Sequence, residues 1–140
     1  ALGLVMLAAG AAVSPAAAQV TTPPRGSAER AAIMDTARDP VQRRIGKPVI
    51  FVVKKLRVLG DWAFLEAEPR NSDGSRVDYK GTPFEEDERA GAFGGLVHAL
   101  LRKVDGRWHV ATLVIGASDV PYVDWWRRFG APRAVLPYSQ

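Results

Sequence analysis

Residues 49–69 read VIFVVKKLRVLGDWAFLEAEP, two runs rich in β-branched and aromatic side chains on either side of Gly60-Asp61. A glycine-first pair between such runs signals a two-residue hairpin turn, because glycine reaches the positive φ of these turns without steric cost. With Leu59 paired to Trp62, one face of the ladder carries Val58, Leu56, Val52, Ala63, Leu65 and Ala67, apolar throughout except for Lys54. The other face sets Arg57 opposite Phe64 and Lys55 opposite Glu66, which predicts a cross-strand ion pair on a wetter surface.

Residues 96–116 repeat the design around Asp105-Gly106, a strong hairpin signal. Its inner face is expected to hold Val97, Ala99, Leu101, Trp108, Val110, Thr112 and Val114, and its outer face His98, Leu100, Arg102, Arg107, His109, Ala111 and Leu113. In this register His98 lies opposite Leu113 and Arg102 opposite His109. Ahead of the hairpins, Ser27 is placed to cap a helix with Glu29 in its first turn, and Ile33, Ala37, Val41 and Ile45 line one helical face. Asp39-Pro40 interrupts that face, predicting two short helices or one kinked helix that closes at Gly46. After Gly116, Ser118 or Asp119 is expected to cap a last helix with Pro121 near its start and Tyr122, Trp125, Trp126 and Phe129 on its face. Gly130-Ala131-Pro132 ends it, and Ala134, Val135 and Leu136 form a patch able to dock on the core.

The predicted fold is α+β: an N-terminal helix packed on a four-stranded antiparallel sheet of two hairpins, with a short C-terminal helix. Residues 27–140 form the single domain. The helix stripe and the turns Gly60-Asp61-Trp62 and Asp105-Gly106-Arg107-Trp108 give the chain a resemblance to cystatin-like and NTF2-like domains, in which a helix lies in the curve of such a sheet. It is also similar to small exported bacterial proteins with a Gly-Asp-Trp-Ala hairpin and the segment Gly116-Ala117-Ser118-Asp119-Val120-Pro121. The wider fold hosts enzymes, ligand carriers and assembly modules, so the resemblance implies architecture rather than chemistry.

Residues 1–18 carry no charge and end Ala16-Ala17-Ala18 before Gln19, the pattern of a secretory signal peptide without its basic start. The apolar stretch is shorter than the roughly 20 residues of a spanning helix. Cleavage near Ala18/Gln19 predicts a periplasmic or secreted domain, led in by a flexible segment, residues 19–26. Between the hairpins, residues 70–95 are polar and glycine-rich around the acidic run at 85–88; so long a connection is expected to be functional or disordered, with disorder leading.

With no cysteine in its 140 residues, the chain has no disulfide, thiolate nucleophile, zinc-thiolate site or lipidated cysteine. A net charge of +4 is mildly basic and falls short of a nucleic-acid footprint, favouring contact with a cell-wall polymer or membrane surface over DNA. His98 and His109 fall roughly 13 Å apart at strand spacing, too far to share an ion, so no metal or other cofactor is expected. No serine lies in a nucleophile elbow, and the glycines at 91–95 lack the lysine of a phosphate cradle. Asp35 and Glu66 are the candidates for a catalytic carboxylate in an NTF2-like pocket, such as that of an isomerase or hydrolase. Trp125 and Trp126 are neighbours and differ by about 100° around a helix, so one of them must be partly exposed. Together with Arg57, Arg102 and Arg107 they form the expected binding surface of a non-catalytic module for a protein partner or a small apolar ligand. Unpaired strand edges leave a monomer or a homodimer open.

Overall fold

The computed structural model describes Gly3 and residues 19–138, so the signal-peptide reading of residues 1–18 lies, Gly3 apart, outside the described residues. Helix α1 (Ala28–Ile45) starts where the sequence places it: the Ser27 hydroxyl oxygen accepts the Arg30 N–H at 3.2 Å, and Gly46 ends the helix at φ 84°. It is one continuous helix of 18 residues with Pro40 inside. Asp39 caps nothing and instead pairs with Arg43 at 3.2 Å along the exposed surface. The buried stripe of Ile33, Met34, Ala37, Val41 and Ile45 runs past Pro40 on both sides, and its packing offsets the one backbone hydrogen bond that proline removes.

Strands β1 (Ile50–Leu59), β2 (Trp62–Arg70), β3 (Val97–Val104) and β4 (Arg107–Ile115) form an antiparallel sheet in the order β1-β2-β3-β4. Both turns are as expected, with Gly60 at φ 57° in the first and Asp105 and Gly106 at φ 51° and 75° in the second. The hairpins are joined by β2–β3 pairing from Trp62 opposite Arg102 to Ala67 opposite Val97.

Each edge strand departs from the unbroken register. The β1–β2 ladder follows the predicted pairs from Leu59 to Lys55, then shifts by one residue so that Val53, not Lys54, faces Ala67. Lys54 is the extra residue of a bulge, which reverses the faces beyond it. Phe51 and Val53 pack into the helix-side core, while Val52, expected inside, is 39% exposed beside Ile50 at 40%. A second shift, between Leu100 and Leu101, makes Ala111 the extra residue on β4. His98 therefore faces Val114 rather than Leu113. Leu113 turns toward the helix, whereas Ala111 and Val114 pack on the opposite face.

That opposite face is a second core. Phe64 and Leu100 are fully buried beneath the C-terminal segment, together with Leu59, Tyr122, Trp125, Val135 and Leu136. The docking of Val135 and Leu136 agrees with expectation. The last helix is shorter than expected: α3 spans only Trp125–Phe129, follows Asp124 without a side-chain cap, and leaves Ser118 and Asp119 exposed upstream. Residues 117–124 are spent in reaching across the sheet, which sets Tyr122 edge-on to Phe64 at 5.0 Å.

The two segments expected to be flexible are folded. Residues 71–96 hold α2 (Glu85–Arg89), a bridge between Arg70 and Arg76, and a cluster of Tyr79, Phe84 and Phe93 with ring centroids 4.5 to 6.3 Å apart. These three rings pack with Val97 and Ile115 and supply the apolar area that orders a polar segment. In residues 19–26, Thr21 exchanges two backbone hydrogen bonds of 2.8 Å with Val58, because the edge of β1 offers partners there.

Gly116, at φ 77°, lies against the Phe93 ring where a Cβ would have to stand; Gly106, at φ 75°, has open space. Gly116→Ala is expected to cost about 3 kcal/mol in urea unfolding, the left-handed strain plus a steric clash, and Gly106→Ala about 1 kcal/mol. Equal losses would show that Phe93 does not wall Gly116.

Candidate functional site

The side chains singled out by the sequence do not assemble into one surface. Trp125 is 1% exposed, with its ring 6.3 Å from Phe64 and 6.2 Å from Tyr122, and it anchors the C-terminal segment. Trp126 is the partly exposed neighbour, covered by the Arg133 guanidinium at 4.7 Å. Arg57 is held by the same segment, its Nε donating to the Val135 carbonyl at 3.0 Å and a terminal nitrogen to that of Ala134 at 2.8 Å. Arg102 does lie opposite His109 and rests 5.2 Å from the Trp62 ring; Arg107 is exposed at the tip of the second hairpin. Of the five expected contact residues, Trp125 is therefore buried in a core, and Arg57 is engaged by the chain's own C-terminal segment.

The carboxylate candidates separate as well. Asp35 is exposed on α1 and bonded to Arg38 at 2.7 Å, so it is not held among apolar walls. Glu66 has Lys55 as its strand neighbour but pairs instead with His98, Oε1 to Nε2 at 2.9 Å, both largely buried. The expected Lys55–Glu66 ion pair gives way because the neighbouring strand offers a closer donor beneath the C-terminal segment. The His98 ring is enclosed, with Phe64 at 6.3 Å and Tyr122 at 5.6 Å, and its buried Nδ1 has no partner among the described residues. Burial of this kind orders the sheet face and leaves the Glu66 side chain 14% exposed. Among the described residues no group of three His, Asp or Glu is placed to hold a metal ion, and no helix is long and apolar enough to cross a membrane.

An open, chemically distinctive surface runs along β1. Thr21 occupies the strand edge at Val58, and the Thr22 hydroxyl donates to the Leu56 carbonyl at 2.8 Å. Pro23 and Pro24 follow, and proline cannot donate to a ladder, so this short added strand stops there and turns to Ser27. From Lys55 back to Ile50 no strand of the described residues lies against the outer edge of β1, the edge away from β2. A cleft of about 620 Å³ flanks the edge on the side of Tyr138 and is lined by Arg30, Lys54, Lys55 and Arg57. Another of about 470 Å³ flanks it on the side of α1 and is lined by Arg25, Arg30 and Arg38 around Met34, Phe51 and Val53. No acidic side chain lines either cleft. This surface is absent from the sequence reading, although two signals mark it: Lys54 inside an apolar alternation, and the Pro23-Pro24 stop. Comparison with known protein families, curated proteins and solved structures found no match to the chain.

Trp125→Ala is expected to cost 3 to 5 kcal/mol, on the order of other large-to-small core changes, and Trp126→Ala about 1 kcal/mol or less. Chemical denaturation followed by circular dichroism measures both. A Trp126 loss as large as that of Trp125 would mean that Trp126 belongs to the core.

Proposed function

We propose that the protein is a non-catalytic binding module that takes an extended, acidic segment of a partner protein along the uncovered edge of β1. The observation that carries this reading is the open strand edge, residues 50–55, set between two clefts whose charged side chains are all basic. An added strand gains main-chain hydrogen bonds from the edge and selectivity from pockets for its alternating side chains. The same edge already accepts Thr21 of its own chain in this way, and the Thr22 hydroxyl donates to the next carbonyl along it. Glutamate or aspartate on one face of the added segment would reach Lys54 and Lys55, and apolar side chains would meet the exposed Val52 and Ile50.

The alternative of a small apolar ligand between helix and sheet has less support, since Ile33, Ala37, Ala63, Leu65, Ala99 and Leu101 fill that interface with no exposure. A wall-polymer or membrane-surface role would use the same cations, but neither partner would satisfy the backbone groups of the edge. With the export signal expected at residues 1–18, the partner would be an extracytoplasmic protein.

The test is fluorescence anisotropy with a labelled hexapeptide of alternating Glu and Val, against one of alternating Lys and Val. The acidic peptide is expected to bind, to weaken as salt rises, and to lose about tenfold in affinity to the double variant Arg30→Gln, Lys54→Gln, with amide shifts centred on residues 50–55. Equal binding of the two peptides, or shifts elsewhere on the molecule, overturns the reading. So does binding to anionic vesicles in place of the peptide, or a concentration-dependent dimer that buries the edge.

A further inference from the structure

Residues 71–96 close a second concavity, independent of the β1 edge. It measures about 260 Å³ and is walled by Tyr79, Phe93, Glu68 and Glu88, with Arg76 beside them and the backbone of Gly94 and Gly95 as part of its lining. Its charges have an unusual disposition. Glu68 is neutralised by Arg70 at 3.0 Å, but Glu88 and Arg76 have no ion-pair partner among the described residues and do not pair with each other. Two opposite charges face one cavity without meeting. Tyr79 lines the same cavity, only 7% exposed, its ring tilted by 56° against that of Phe93 at 4.5 Å. Its carbonyl is used by the N–H and hydroxyl of Thr82, whereas its phenol hydroxyl has no hydrogen-bond partner among the described residues.

We propose that this cavity binds a free α-amino acid with a medium-sized apolar side chain, its ammonium on Glu88, its carboxylate on Arg76, and its side chain on the Tyr79–Phe93 rings. A zwitterion supplies in one small molecule both of the charges the cavity leaves unpaired. Carboxylate recognition suits the fork of an arginine, and ammonium recognition suits a carboxylate next to aromatic faces. The volume is just under that of drug-sized pockets and suits a molecule of this size. Burial, reinforced by the charges of Glu88 and then Glu68, pushes the Tyr79 phenol up to about 12, so at neutral pH the hydroxyl is a neutral group that donates to the carboxylate or accepts from the ammonium. Gly94 is required where it stands, because a Cβ there would strike the Ala117 carbonyl; the wall can come this close to its neighbour only as bare backbone.

Nuclear magnetic resonance titration with leucine tests this, using isoamylamine and 4-methylpentanoate as probes that each keep one charge. Leucine is expected to shift the amides of Val77, Gly94 and Gly95 with a Kd of about 1 mM or below, about tenfold tighter than either probe. Glu88→Gln and Arg76→Gln, both at exposed positions that leave the fold intact, are each expected to weaken leucine about tenfold while leaving the probe that lacks the corresponding charge unchanged. The idea fails if leucine moves none of these amides at about 10 mM. It fails equally if both probes bind as well as leucine, or if neither substitution alters the affinity. Because neither variant touches β1, loss here would leave acidic-peptide binding intact.

Discussion

The bulge at Lys54 sets the terms for the rest of the molecule. An ammonium buried without a partner costs several kcal/mol, and an unbroken ladder would place Lys54 opposite Ala67, a residue with no exposure, under α1. One extra residue in an edge strand costs a local disruption of the ladder and removes that penalty. The shift also brings Phe51 and Val53 under α1, with the Arg38 guanidinium lying 5.8 Å from the Phe51 ring. The price is paid on the far side, where Ile50 and Val52 are left partly in water.

A comparable adjustment on β4 shapes the second core. With Ala111 as the extra residue, Leu113 joins the helix side, and Val114 joins the Phe64 and Leu100 side. The sheet is then apolar on both faces, so it needs a cover on each. The helix supplies one and the C-terminal segment the other, pinned by Trp125 in the centre and by Arg57 at the far end of the segment. Arginine suits that position because its fork satisfies two turn carbonyls at once while its stem covers apolar surface. His98 lies against Tyr122 of this cover, and the largely buried Glu66 beside it finds its partner in the His98 ring.

Much of this architecture was legible because it follows from local rules. The α1 stripe, its Ser27 and Gly46 caps, and both hairpin turns rest on periodicity and on the few residues that tolerate positive φ, and all are present as read. The bulges were not legible as positions, since a bulge is a compromise between two strands and each strand alone shows only an alternation with one wrong residue. Lys54 was that wrong residue. The order of residues 71–96 was hidden for a related reason: Tyr79, Phe84 and Phe93 are spread through polar sequence and become one cluster only after the chain folds back. Composition hid them. Of the expected contact residues, Trp125 is buried and Arg57 holds the chain's own tail, because aromatic and cationic side chains serve a core closure as readily as an interface and sequence does not distinguish a partner from that tail.

The strand edge on β1 carries two opposed demands. An exposed edge invites indiscriminate pairing, and lysines with a bulge are common means of discouraging it. Lys54 and Lys55 do this against a second copy, since β1 against β1 would bring like charges together. They do not do it against a segment of opposite charge, for which the same side chains become the attraction. Coverage of the edge follows a similar division: residues 21–22 close it at Val58 and Leu56, where the intervening Arg57 is engaged by the C-terminal segment, and Pro23-Pro24 ends the coverage as the lysines begin. Protection by strand thus passes into protection by charge at Lys55, and charge is the kind of protection that admits one class of partner while refusing others.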